Sequence, residues 1–118
     1  APSRFLMRVV VADTGPLRYL PQIGEVELLP RLFDKIFIPS IVSDELRHPS
    51  APESVRTWID SKPGWLEISV VGPSDDPSLN TLDPGEKAAI ALGLSLSADL
   101  LLIDDPRGSA VARRKVSK

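Results

Sequence analysis

The sequence has no cysteine and only one histidine, His48, among its 118 residues. The absence of cysteine excludes a disulfide framework, a thiolate zinc site and a cysteine nucleophile. With one histidine, a single chain cannot build a histidine-rich metal site or a two-histidine catalytic pair. Aromatic residues make up only 5% of the chain, so its core must consist mainly of Leu, Ile, Val and Ala.

Long apolar runs and an excess of positive charge are also missing. No run approaches the ~18 apolar residues of a membrane-spanning helix, and Arg8 interrupts an early apolar stretch that is too short for a signal-peptide core. The net charge of −2 gives no overall basic field to attract nucleic acid. We expect a soluble, cytoplasmic protein with no membrane partner. With 42% hydrophobic and 25% charged residues, it should fold as one domain over residues 1–118.

Short aliphatic runs alternate with helical segments along the chain. The pattern predicts strands at residues 8–12, 35–38, 65–71 and 100–103. It predicts helices at residues 16–23, 25–33, 39–47, 50–60, 83–97 and 108–115. Ser50 and Asp83 each precede a glutamate by three residues, which predicts a capping box at the start of two of these helices. The alternation of strands and helices predicts an α/β fold with a parallel sheet.

Carboxylates directly follow two of the predicted strands. Asp13 follows the first strand, and Asp104 and Asp105 follow the fourth. Ligands of open α/β sheets bind beyond the carboxyl ends of the strands, so these acids would converge if the two strands are neighbours. Each acid, taken singly, is also explained as an ordinary turn residue.

Two glutamates lie on helix faces that should point inward. Glu45 falls inside the apolar arc that begins at Ile41, whereas Asp44 points away from it. An ionised carboxylate in that arc is costly unless it pairs with an arginine or binds a metal. Glu86 lies on the small, apolar face of its helix, although a capping box with Asp83 explains it equally well.

Several acids close together, without basic partners, form an oxygen-donor site for a hard cation, because the carboxylates otherwise repel one another. Mg²⁺ or Mn²⁺ in such a site activates water and stabilises charge on a phosphoryl group. Phosphodiester hydrolysis is then feasible without a Ser, Cys or His nucleophile. We interpret Asp99, which precedes the fourth strand, as a solvated residue outside this group.

The sequence resembles a PIN domain, in the branch related to the toxin ribonucleases of toxin–antitoxin modules. The resemblance rests on four stretches in the family's order and spacing, which cover most of the chain: VVVADTGPL, IPSIVSDEL, LDPGEKAAIAL and ADLLLIDD. It implies a three-layer α/β/α fold around a parallel sheet of about four strands. It also implies a Mg²⁺- or Mn²⁺-dependent ribonuclease whose partners are RNA, an antitoxin protein and a second copy of the chain.

The resemblance assigns roles to individual positions. The implied catalytic acids are Asp13, Glu45, Glu86 and Asp105, and Asp104 joins them as a candidate metal ligand. Thr14 matches the small hydroxyl residue beside the first acid, and Asp83 is auxiliary. The candidate RNA contacts are Arg107, Arg113 and Arg114. Relative to the family, the chain is expected to lack the C-terminal strand and helix, leaving a sheet edge on which a second copy can pair.

Two other functions remain open. A PIN-like domain can bind RNA or a protein without cleaving it. Asp13-Thr14-Gly15 after an apolar run is also the active-site tripeptide of dimeric aspartic proteases, although that fold is nearly all β. Trp58 and Trp65 have two interpretations as well, as platforms for stacked bases or as part of the core.

Overall fold

The computed structural model describes residues 9–72 and 77–103, which form a parallel sheet and the helices that cover it. The strands are β1 (Val10–Ala12), β2 (Ile36–Pro39), β3 (Leu66–Ser69) and β4 (Leu100–Leu102). The helices are α1 (Thr14–Gln22), α2 (Leu28–Leu32), α3 (Ser40–Arg47), α4 (Glu53–Asp60) and α5 (Pro84–Leu96), with a 3₁₀ turn at Pro77–Leu79. The helix predicted at 108–115 lies outside the described residues.

The order of the strands creates a crevice beside β1. The sheet runs β3-β2-β1-β4, and all neighbouring strands are parallel. From β1 the chain proceeds to β2 and β3 on one side, and then crosses to β4 on the other. In such a sheet ligands bind at the carboxyl ends of the strands where the two directions part, which here is between β1 and β4. This α/β fold confirms the predicted class and excludes the nearly all-β aspartic protease.

Helices cover both faces of the sheet. Val10 packs in one core cluster with Leu17 of α1 and Val42 of α3, whereas Val11 packs in another with Ala89 of α5. Because successive residues of a strand point to opposite faces, α1–α4 lie on one side of the sheet and α5 on the other. All three residues of β1 are fully buried, which explains their unbroken apolar run. The three-layer arrangement is therefore as predicted.

The predicted cap of α4 is wrong. The helix begins at Glu53, and Pro52 occupies the cap position without any side-chain cap bond. Ser50 instead binds His48, whose Nδ1 lies 2.7 Å from the Ser50 hydroxyl and 3.0 Å from its backbone nitrogen. Proline disfavours helical backbone at the residue before it, so the helix cannot begin until after Ala51, too far along the chain for Ser50 to cap it.

α2 and β3 are also shorter than predicted. The backbone N–H groups of Leu28 and Leu29 bind carbonyls three residues earlier, so tight turns replace the first part of the helix predicted at 25–33. Among the described strands β3 pairs only with β2, which is four residues long, and so β3 ends at Ser69. Among the described helices, none is long and apolar enough to cross a membrane.

Candidate metal centre

Asp13 lies at the carboxyl end of β1, in the crevice between β1 and β4. Its backbone N–H donates a 3.0 Å hydrogen bond to the carbonyl of Leu102, at the end of β4. Asp13 stands in the N-cap position of α1, yet its side chain makes no capping bond to that helix. The residue is only 4% exposed. Capping of α1 therefore does not account for the burial of this carboxylate.

Glu45 reaches the same place from α3. The Thr14 hydroxyl, in the first residue of α1, donates a hydrogen bond to Glu45 Oε1. Glu45 is half-buried, whereas its neighbour Asp44 is exposed, as the helical periodicity predicts. No lysine or arginine among the described residues forms an ion pair with Glu45. The arginine pair that would explain this glutamate without a function is therefore not found in that part of the chain.

The amino end of α5 completes the arrangement. Gly85, the second residue of α5, is buried, and a Cβ built on it would lie 2.6 Å from Glu45 Oε1. The same point is 3.2 Å from Asp13 Oδ1 and 3.2 Å from Thr14 Oγ1. Oxygens from three side chains thus converge on one backbone position. The partial positive charge at a helix amino end favours the two carboxylates there.

Glu86 follows directly and is also buried, at 4% exposure. Its backbone N–H donates a 2.9 Å hydrogen bond to Asp83 Oδ1, which confirms Asp83 as the cap of α5. Asp83 itself is exposed, so capping explains it fully. The burial of Glu86 agrees with the inward helix face predicted for it.

The described acids supply a pair rather than a larger cluster. Within residues 9–72 and 77–103, no group of three or more acidic or histidine side chains is arranged to hold one metal ion. Asp13 and Glu45 converge on Gly85, and Glu86 is adjacent in sequence. Mg²⁺ commonly takes only one or two protein carboxylates and keeps several waters. The two carboxylates and the Thr14 hydroxyl therefore fit a hydrated divalent cation.

The remaining predicted site residues, Asp104, Asp105, Arg107, Arg113 and Arg114, lie outside the described part of the chain. Their roles stay predictions.

The tryptophans lie near the amino ends of β2 and β3, away from the site acids. Trp65 directly precedes β3, and its carbonyl accepts the N–H of Ile36, the first residue of β2. Trp58 packs against Trp65 with ring centroids 5.8 Å apart, and both are half-buried against the main core. Their position is that of core residues, remote from the carboxyl ends of β1 and β4.

Asp99 has a structural contact that sequence reasoning missed. It is exposed, as predicted, but its Oδ2 accepts the N–H of Val9 at 3.0 Å. Its backbone N–H also donates to the Val9 carbonyl at 2.8 Å. Asp99 therefore joins the amino ends of β1 and β4, whereas the site acids lie at the carboxyl ends.

The parallel sheet with helices on both faces, and with buried acids at the carboxyl ends of its strands, is consistent with a PIN-like fold. Residues 9–116, which are most of the chain, match a family model described as a PIN domain. The chain belongs to the PIN-domain family, whose members are generally nucleases. Comparison with curated proteins and with solved structures finds no match.

Proposed function

We propose that the protein is a Mg²⁺- or Mn²⁺-dependent ribonuclease that hydrolyses RNA phosphodiester bonds, and that it acts as the toxin of a toxin–antitoxin module. One observation carries the nuclease proposal: Asp13, Thr14 and Glu45 converge on Gly85 in the crevice between β1 and β4. Membership of a family of nucleases supports the same conclusion.

The chain's own residues provide the binding and orientation that this chemistry needs. Asp13, directly after β1, and Glu45, on α3, would hold the cation through their carboxylate oxygens. Thr14 holds Glu45 Oε1 through its hydroxyl, which limits the directions in which that carboxylate points. A bound divalent ion supplies an activated water and neutralises charge that develops on the phosphate. No nucleophilic side chain is then required.

Binding of RNA would require positive charge at the site. RNA is a polyanion, whereas the protein carries a net charge of −2, so binding needs positive charge concentrated at the site. A divalent cation held by Asp13 and Glu45 would provide part of it. Arg107, Arg113 and Arg114 are the candidate RNA contacts and would provide more.

An RNA-cleavage assay tests the nuclease proposal. The parent protein, Asp13→Asn and Asp44→Asn are incubated with a structured RNA and Mn²⁺, and then with excess chelator. Asp44 is the matched control because it is an exposed acid next to Glu45. We expect the parent and Asp44→Asn to cleave only with metal, and Asp13→Asn to be inactive. Cleavage that persists in chelator, or in Asp13→Asn, contradicts the proposal.

The toxin role needs a separate experiment. Induced expression of the parent in a bacterial host should arrest growth, and expression of Asp13→Asn to the same level should not. If both cultures grow equally and the parent cleaves RNA with Mn²⁺ in vitro, the protein is a ribonuclease but not a toxin.

A second candidate function is a domain that binds RNA without cleaving it. The observation in its favour is that the described residues supply no group of three metal-binding side chains. In this case RNA binds to the parent and to Asp13→Asn alike, and neither cleaves it in Mn²⁺. A gel-shift measurement beside the cleavage assay separates the two functions.

A further inference from the structure

We infer that Gly85 is a positioning residue of the metal centre, because the lack of a side chain at this position lets α5 lie directly against the Glu45 carboxylate. The inference rests on the proposed metal-dependent function and extends it to a residue that supplies no ligand atom. Its test therefore measures cation affinity, so that its failure can be told from failure of the proposed function.

Space is the reason for glycine here. The backbone of Gly85 is not in the left-handed region that favours glycine. In a helix, alanine is more favourable than glycine and also reduces the entropy of the unfolded chain. Both effects disfavour glycine at position 85. What favours it is the close approach, since a Cβ would lie 2.6 Å from Glu45 Oε1, a separation that real Cβ atoms essentially never show.

The obstructing atom is the far end of a flexible side chain. Glu45 can therefore swing away from an added methyl group, at the expense of its hydrogen bond from Thr14. The 3.2 Å approaches to Asp13 Oδ1 and Thr14 Oγ1 require only small adjustments by comparison. Alanine at position 85 should therefore displace Glu45 selectively and leave the fold in place. The expected result is a weakened cation site in a folded protein.

The same helix provides a matched control. A Cβ built on Gly93 would lie 2.6 Å from Leu101 Cδ2, a side-chain carbon of β4. Gly93→Ala therefore has the same type of steric conflict on the same helix, but with an apolar group rather than with a carboxylate. It should affect packing alone.

Mn²⁺ titrations of the chelator-treated protein, followed by melting temperature, test the inference with Mn²⁺ itself as the probe. Circular dichroism verifies that each variant is folded. We expect Gly85→Ala to weaken the apparent Mn²⁺ affinity by about 10- to 100-fold, the usual range when a ligand's orienting contact is lost. Gly93→Ala should lower the metal-free melting temperature and retain the parent's Mn²⁺ affinity.

A double-mutant cycle tests the contact directly. Glu45→Asp withdraws the carboxylate by one methylene group, so Gly85→Ala should reduce the affinity by a smaller factor in that background than in the parent. If Gly85→Ala fails to fold, addition of Glu45→Ala should restore folding by removing the obstructing carboxylate. Failure to restore it overturns the inference.

The remaining outcomes are equally decisive. If the parent shows no response to Mn²⁺, the proposed metal-dependent function is contradicted. If the parent responds and Gly85→Ala has the same Mn²⁺ affinity, only the role of Gly85 is contradicted. Equal losses of affinity in Gly85→Ala and Gly93→Ala show that helix packing alone is responsible, and also overturn the inference.

Discussion

The Thr14 hydroxyl donates a hydrogen bond to the Glu45 carboxylate, which lies 31 positions later in the chain. This bond joins the first residue of α1 to the inward side of α3, beside the buried Asp13. Two elements that follow different strands thereby meet at one edge of the sheet. The contact gives the acids a defined arrangement before any cation is bound.

Removal of this bond should weaken the metal centre. Thr14→Val keeps the shape of the side chain and deletes the donor, so Glu45 loses its orientation. We expect the Mn²⁺ affinity, measured by calorimetric titration, to fall by about 10- to 100-fold. Thr14→Ser retains the hydroxyl and should remain near the parent. An unchanged affinity in Thr14→Val would show that this hydroxyl does not orient a ligand.

Asp13→Asn should abolish metal-dependent cleavage and leave the protein folded. The amide keeps the shape of the carboxylate but removes the charge that attracts the cation. It also relieves repulsion from Glu45, so the metal-free variant should be at least as stable as the parent in urea unfolding. Unfolding of Asp13→Asn would instead identify Asp13 as a structural residue, while Asp44→Asn reports the effect of losing an exposed acid.

Asp83 and Glu86 lie at the start of the same helix but should have different roles. Asp83 should be structural, and Glu86 should contribute to cation binding. Asp83→Ala removes the cap of α5 and should lower the free energy of unfolding by about 1 kcal/mol, with the Mn²⁺ affinity unchanged. Glu86→Gln should lower the Mn²⁺ affinity, because it removes the buried carboxylate that directly follows Gly85. Urea unfolding and Mn²⁺ titration of both variants check this. The reverse pattern would show that Asp83, rather than Glu86, serves the cation.

Divalent metal should stabilise the protein. A ligand that binds only the folded state stabilises it by about 2.7 kcal/mol at a hundredfold excess over its Kd. We expect millimolar Mg²⁺ or Mn²⁺ to raise the melting temperature of chelator-treated parent protein. An excess of chelator should reverse the shift. The same shift in Asp13→Asn would place the stabilising ion elsewhere on the molecule.

The protein should associate with a second copy through α1 and α2. Large apolar side chains are exposed along these helices and the turn between them, at Tyr19, Ile23, Leu28 and Leu32. Light scattering at high micromolar concentration should give a dimer, and Ile23→Glu should convert it to a monomer. Val70→Glu is the control, because Val70 is an exposed apolar residue just after β3. A monomeric parent, or a dimer that Ile23→Glu leaves intact, would contradict this prediction.

Local patterns made part of the site predictable. Asp83 could be identified as a cap because its partner, Glu86, lies only three residues away. Glu45 stood out because helical periodicity places it in an apolar arc, whatever the rest of the fold does. The place of Asp13 could be predicted from the general rule that ligands bind at the carboxyl ends of parallel strands.

What could not be predicted depends on distant segments meeting in space. The position of Gly85 against Glu45 follows from the packing of α5 on α3, and no local pattern encodes that distance. Ser50 was misread because Pro52 delays the start of α4. Nearby apolar positions of α1 and α2 also differ in exposure, since Leu17 and Leu29 are buried in the core whereas Tyr19 and Leu28 are exposed.

Anomalous diffraction from crystals of the parent soaked with Mn²⁺ tests the proposed metal centre most directly. We expect an anomalous peak in the crevice between β1 and β4, bonded to the carboxylates of Asp13 and Glu45, and its loss in Asp13→Asn crystals soaked in the same way. A well-ordered crevice without a peak, or Mn²⁺ bound only at other acids, would contradict it.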